Sequence, residues 1–262
     1  MKFLQNLYLL KSLKLVKEKP KLFGLMILFD ILFVVGGILF RKLTELFARS
    51  LVIPQNVTGL LTVTLLSIMY YLAMLFVYTF IKYHILHYVE AYFQKMRFTY
   101  DRLGKFFILN LILGGIFFME MIVLFFFLQS TKAEFRPFLL IIFMVPLIIF
   151  SYLLLEISHS LFILENRRPI STAIKTVFTR IKIYKETFLS ILIPGIILTI
   201  LFVITGFFIR LNAPKDYFAY YAAYTKFQQV IGIIILIVLY FIIVLNQIIF
   251  YMYSKENVLP RH

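Results

Sequence analysis

The stretch LENRRPISTAIKTVFTRIKIYKETF at residues 164–188, running straight into LSILIPGIILTILFVITGFFI at 189–209, decides the fold. In its first part Ile170, Ile174, Val177, Ile181 and Tyr184 recur at helical spacing. Arg168, Thr172, Lys175, Thr179 and Lys182 follow the opposite side, with Arg180 adding charge. Pro169 suits a first helical turn, where its missing N–H removes no hydrogen bond. A helix with one apolar stripe and one basic face lies in the plane of a membrane interface. The second part is long and apolar enough to cross a bilayer, which takes about 20 residues.

The same unit can be read twice upstream, and a repeat redefines the fold it belongs to. Near the start, Phe3, Leu7, Leu10, Leu13 and Val16 form the stripe, while Lys11, Lys14, Lys17 and Lys21 follow another face. In the second copy the stripe is Leu86, Val89, Phe93, Met96 and Tyr100. Glu90, Gln94, Arg97 and Asp101 lie opposite, with Lys95 among them. Each basic segment precedes two apolar spans. The sequence therefore predicts one all-α, polytopic membrane domain over 1–262, made of three elbow-and-hairpin repeats at about 1–82, 83–165 and 166–262. Its six spans are Leu22–Phe40, Thr58–Ile81, Phe106–Leu128, Phe138–Phe162, Leu189–Ile209 and Val230–Tyr253. Continuous apolar runs without alternation favour helices over a barrel. The first span contains Asp30 and is followed by Arg41 and Lys42, which is unlike a cleaved signal peptide.

Composition agrees. Hydrophobic residues make up 62% of the 262 positions, charged residues 15%, and mean hydropathy is +0.95. A soluble domain is nearer half apolar and a quarter charged. The absence of cysteine excludes disulfides and thiolate metal sites. A net charge of +15 would suggest nucleic acid in a soluble protein; between apolar spans it points instead to orientation and to anionic phospholipid. The N-terminal segment carries six Lys and Arg, the loops after spans two and four carry five and six, and the C-terminal segment two. The alternate loops carry three, two and three. The positive-inside rule then puts both termini in the cytoplasm.

The copies also register along their length. Lys21, Lys105 and Lys185 precede the odd spans, and nine residues further on stand Asp30, Gly114 and Pro194. Gly114-Gly115 and Pro194-Gly195 are candidate helix breaks, of the kind that opens binding sites in transporters. Seven of the ten glycines lie in odd spans. Small residues allow close helix approach, so spans one, three and five are expected at the centre of a pseudo-threefold bundle.

Residues 164–175 and 183–188 (LENRRPISTAIK and IYKETF) resemble a recurring element of poorly characterised six-pass membrane proteins. Among these are the membrane domains attached to some glycerophosphodiester phosphodiesterases. The resemblance implies a membrane domain with interfacial elbow helices; it does not imply an activity.

Three carboxylates fall inside spans: Asp30, Glu120 and Glu156. An ionisable group costs about 2.5–3.5 kcal/mol at a helix centre, so each is a functional candidate. The structural alternative is a hydrogen bond to a neighbour such as Asn110, Tyr70, Tyr71 or Asn246, or, for Glu156, proximity to His159. The span boundaries leave no Lys or Arg deep in a helix to pair with them. His84 and His87 read as an interfacial pair rather than a metal site. The sequence holds no phosphate loop, no metalloprotease motif and no nucleophile beside a base, so neither an enzyme nor a cofactor is expected. The expectation is a scaffold, an accessory subunit of another membrane protein, or a lipid-organising factor. Lys14, Lys17, Lys21, Lys95, Arg97, Arg168, Lys175, Arg180 and Lys182 would bind lipid or a partner. The alternative is a solute or ion transporter using the intramembrane carboxylates.

Overall fold

A computed structural model describes residues 8–50, 57–94, 99–132, 134–211 and 217–258. The described residues are helical apart from short turns, in eight helices: α1 Tyr8–Glu18, α2 Pro20–Ser50, α3 Val57–Ala91, α4 Tyr100–Gln129, α5 Arg136–Ile163, α6 Pro169–Thr179, α7 Ile181–Leu211 and α8 Tyr217–Asn257. Segments of α2, α3, α4, α5 and α8 are long and apolar enough to cross a membrane. In α7, where the fifth span is expected over Leu189–Ile209, the apolar stretch among the described residues is the shorter Ile193–Phe208. The protein is an integral membrane protein by these measures.

Burial is concentrated at one end. The buried residues of α3 run from Thr79 to Glu90, those of α4 from Leu103 to Leu113 with Leu124 beyond, and α8 is nearly continuously buried from Ile242 to Ser254. No residue in the most apolar window of α3 is buried. At 1.5 Å per residue α3 is about 52 Å long, against a hydrocarbon core of about 30 Å. The excess carries the polar core. The six long helices thus pack against one another mainly at the end that also bears α1 and α6, here called the elbow end, and expose apolar side chains elsewhere.

The expected central trio is overturned. Helices α3, α5 and α8, the even spans, each touch the other two, whereas α2, α4 and α7 pack chiefly on even-span neighbours. Glycine content misled because most of those glycines meet nothing: a Cβ at Gly36, Gly37, Gly115 or Gly195 would have no neighbour within 4 Å. Gly114 differs, since a Cβ there would lie 2.6 Å from the Tyr71 hydroxyl of α3. Nor are Gly114, Gly115, Pro194 and Gly195 breaks. Helices α4 and α7 run through them uninterrupted, since Gly is tolerated within a helix and Pro removes a single ladder bond.

Separate helices stand at the first and third predicted elbows, and among the described residues none stands at the second. Helix α1 buries Tyr8 and Ser12 rather than the expected stripe, leaving Leu10 and Leu13 more than two-fifths exposed. Helix α6 buries Ala173, Thr176 and Val177 against α5. In the second copy Leu86 and Val89 belong to α3, which continues unbroken to Ala91, and Glu90 is buried rather than facing water. Lys95 and Arg97 lie outside the described residues.

Helix α1 clasps α8. The Tyr8 hydroxyl donates to Glu256 Oε2 and accepts from Asn257 Nδ2, each at 2.7 Å. Tyr8→Phe removes both bonds from a buried position and should destabilise by about 1–2 kcal/mol, lowering Tm by about 2–8 °C in detergent. An unchanged Tm would show that α1 is not fastened there. Nearby, Lys19 Nζ donates to the carbonyls of Ala91 (3.1 Å) and Tyr92 (3.2 Å), and the Tyr92 hydroxyl donates to the Lys19 carbonyl (3.2 Å). A cation at the last carbonyls of α3 complements the helix dipole. Burial pushes the Tyr92 hydroxyl up to about 12.

Candidate functional site

The three central helices bring a buried charge pair together. Lys82 Nζ of α3 lies 2.9 Å from Glu156 Oε1 of α5, with the two side chains 8% and 4% exposed. This corrects the expectation that no basic residue reaches the carboxylates. Lys82 closes the apolar run of the second span and reads as the first loop cation, but α3 carries it inward. The cost of burying either charge alone is several kcal/mol, so each is held by the other.

Other polar groups surround the pair. Asp30 of α2 is within electrostatic range of both Lys82 and Glu156, and Tyr240 of α8 donates to its Oδ2 at 3.4 Å. One turn beyond Glu156, His159 faces Asn110 of α4, with Nε2 2.7 Å from Oδ1. Asn110 Nδ2 donates to the Phe106 carbonyl, so Oδ1 is the acceptor and Nε2 carries the proton. His159 Nδ1, Glu156 Oε2, Thr79 Oγ1 and Gln247 Oε1 are buried without a hydrogen-bond partner among the described residues. An unsatisfied buried group costs about 1–3 kcal/mol, so this core holds more polarity than packing alone requires.

Asp30 and Glu156 thus join one cluster, and Glu120 does not. Glu120 accepts from Ser151 of α5 at 2.7 Å, beside a cavity of about 350 Å³ between α4 and α5 that Gly114 also lines. None of Tyr240, Ser151 and Lys82 stood out as a partner in the sequence. His84 stacks on Phe29 (5.1 Å between centroids), and His87 Nδ1 lies 3.1 Å from the Tyr83 carbonyl.

The predicted basic residues form two faces. Lys14, Lys17 and Lys21 are exposed along α1 and the start of α2, while Arg168, Lys175 and Arg180 are exposed along and beside α6. Lys182 lies on α7, its side chain outside the described residues. Both α1 and α6 touch α7. Apolar residues remain exposed beside the charges: Phe178 is 72% exposed and Ile174 37%. A helix that shows water both Lys175 and Phe178 matches an interface rather than bulk solvent.

No family model matches the chain, and no curated protein or solved structure is significantly similar to it.

Proposed function

We propose that the protein is a non-catalytic membrane scaffold that gathers anionic phospholipid, or holds an acidic partner, through its basic elbows. The observation that carries this reading is the pose of α6: its inner face is packed on α5 while Lys175, Arg180, Ile174 and Phe178 stay exposed. Each Lys or Arg near an anionic surface contributes about 1 kcal/mol. In this reading the elbow end and both termini face the cytoplasm, as the Lys and Arg distribution favours. The resemblance of residues 164–188 to six-pass membrane domains with elbow helices supports the same reading.

Mass spectrometry of phospholipid retained in mild detergent tests it. The protein should hold acidic over zwitterionic lipid, and Lys175→Gln/Arg180→Gln should weaken that preference by up to about thirtyfold. Equal enrichment in the parent and the variant would sink the reading.

A second reading, ion or proton transport, draws on the buried Lys82–Glu156 pair beside Asp30. Ionisable groups within a bundle often mark ion paths. An Asp30→Asn protein that assembles normally but loses a proton-dependent flux in liposomes would favour it.

A further inference from the structure

A cavity of about 620 Å³ lies where the start of α4 meets the turn from α5 into α6. It is distinct from the charged core. Pockets of about 300–1,000 Å³ accommodate small ligands. Four cations line it, Arg102, Lys105, Arg167 and Arg168, against one carboxylate, Glu165. Apolar residues also line it, among them Ile108 and Ile112 on successive turns of α4 leading into its span.

The chain builds this place deliberately. Helix α5 ends in a reversal in which Glu165 N donates to the Phe162 carbonyl and Asn166 N to the Leu161 carbonyl, each at 3.0 Å. Glu165 takes φ 62° there, at a position that glycine usually fills. Asn166 Oδ1 accepts from Arg168 N at 2.8 Å, which starts α6 at Pro169. Arg168 at the N-cap supplies no acceptor, so the first turn has no side-chain cap, and its residues Ile170 and Ser171 line the cavity. Arg102 Nη2 donates to the Ile163 carbonyl at 2.9 Å and is 3.7 Å from Glu165 Oε1, which fixes it as part of the frame. Lys105 pairs with Asp101 at 2.7 Å on an exposed turn, a contact worth about 0–1 kcal/mol and readily exchanged. Arg167 and Arg168 are exposed at the mouth.

We infer that this cavity is a binding site for a phosphate group, presented by an anionic glycerophospholipid whose acyl chain lies along Ile108 and Ile112. Uncapped N–H groups at a helix start, framed by guanidinium groups, suit phosphate oxygens. The apolar lining toward the span selects a lipid over free phosphate. The inference rests on the anionic-lipid reading above, and adds to it one stoichiometric site in place of a diffuse charged face.

The test uses the full chain in mild detergent, titrated with phosphatidylglycerol or phosphatidylcholine and followed by native mass spectrometry. One phosphatidylglycerol should be held per chain, with no comparable phosphatidylcholine. Arg167→Gln/Arg168→Gln should weaken that one lipid about thirtyfold. Lys175→Gln/Arg180→Gln should leave it in place while reducing the looser acidic lipid. Two outcomes overturn the site and leave the elbow reading standing: equal weakening by both double variants, or graded retention without a one-to-one species. Stabilisation by inorganic phosphate alone, with no lipid held, overturns the lipid assignment. No preference for acidic lipid in any protein overturns the elbow reading as well. Both arginines are exposed and the Arg168 backbone bond survives in glutamine, so an unchanged Tm should certify the variant as folded.

Discussion

Lys82→Met should lower stability by about 3–5 kcal/mol, because it leaves Glu156 charged and buried without its partner. For a chain of this size that corresponds to a fall in Tm of about 6–20 °C. The double variant Lys82→Met/Glu156→Leu should recover most of the loss or exceed the parent, since an apolar pair of similar volume has no charges to desolvate. Thermal unfolding in detergent, followed by circular dichroism, reads all three proteins, and the cycle isolates the coupling. A single-variant loss below about 1 kcal/mol would mean that water reaches the pair. A double variant that is fully stable yet inactive in a flux assay would show that the pair is kept for ion handling rather than for folding.

Phe106→Ala should be nearly as damaging, at about 3–5 kcal/mol. Phe106 is fully buried on α4, 4.9 Å from the His159 ring, 5.2 Å from Phe162 and 5.6 Å from Tyr83 between centroids. Its loss leaves a cavity beside the His159–Asn110 bond. Phe118, three turns on along the same helix, is 64% exposed, and Phe118→Ala should change stability by no more than about 0.5 kcal/mol. The contrast tests whether the protein is held together at the elbow end. Equal losses at the two positions would mean that the helices pack as tightly away from the elbow end as at it.

Five of the six expected spans were legible because about 20 apolar residues have one economical use in a bilayer. The elbow at 169–179 was legible too, since Asn166 and Pro169 break the chain before an amphipathic stripe. The stripe at Leu86 and Val89 looked the same but has no breaker between Ile81 and Leu86. A period of 3.6 residues shows which face is apolar, not whether the helix turns into the interface or continues. That ambiguity hid Lys82 as well: hydropathy ends the span at Ile81, although α3 runs on to Ala91. The site was half legible. Asp30 and Glu156 were found as carboxylates within apolar spans, whereas the pairing of Glu156 with Lys82, 74 residues away, is a tertiary fact. The centre of the bundle was misjudged because close approach was assigned to glycine, while α3, α5 and α8 meet through Lys82, Glu156 and the apolar residues around them.

The clasp between Tyr8 and Glu256 joins residues 248 positions apart. At synthesis rates of about 5–20 residues per second, Tyr8 waits roughly 12–50 s for its partner to be made. Contacts of such long sequence separation form late. Lys82 meets its partner sooner, 74 residues on, so the charged pair can form well before the clasp does. The clasp can close only after Glu256 has been made, and a chain truncated before Glu256 should leave the α1 surface uncovered.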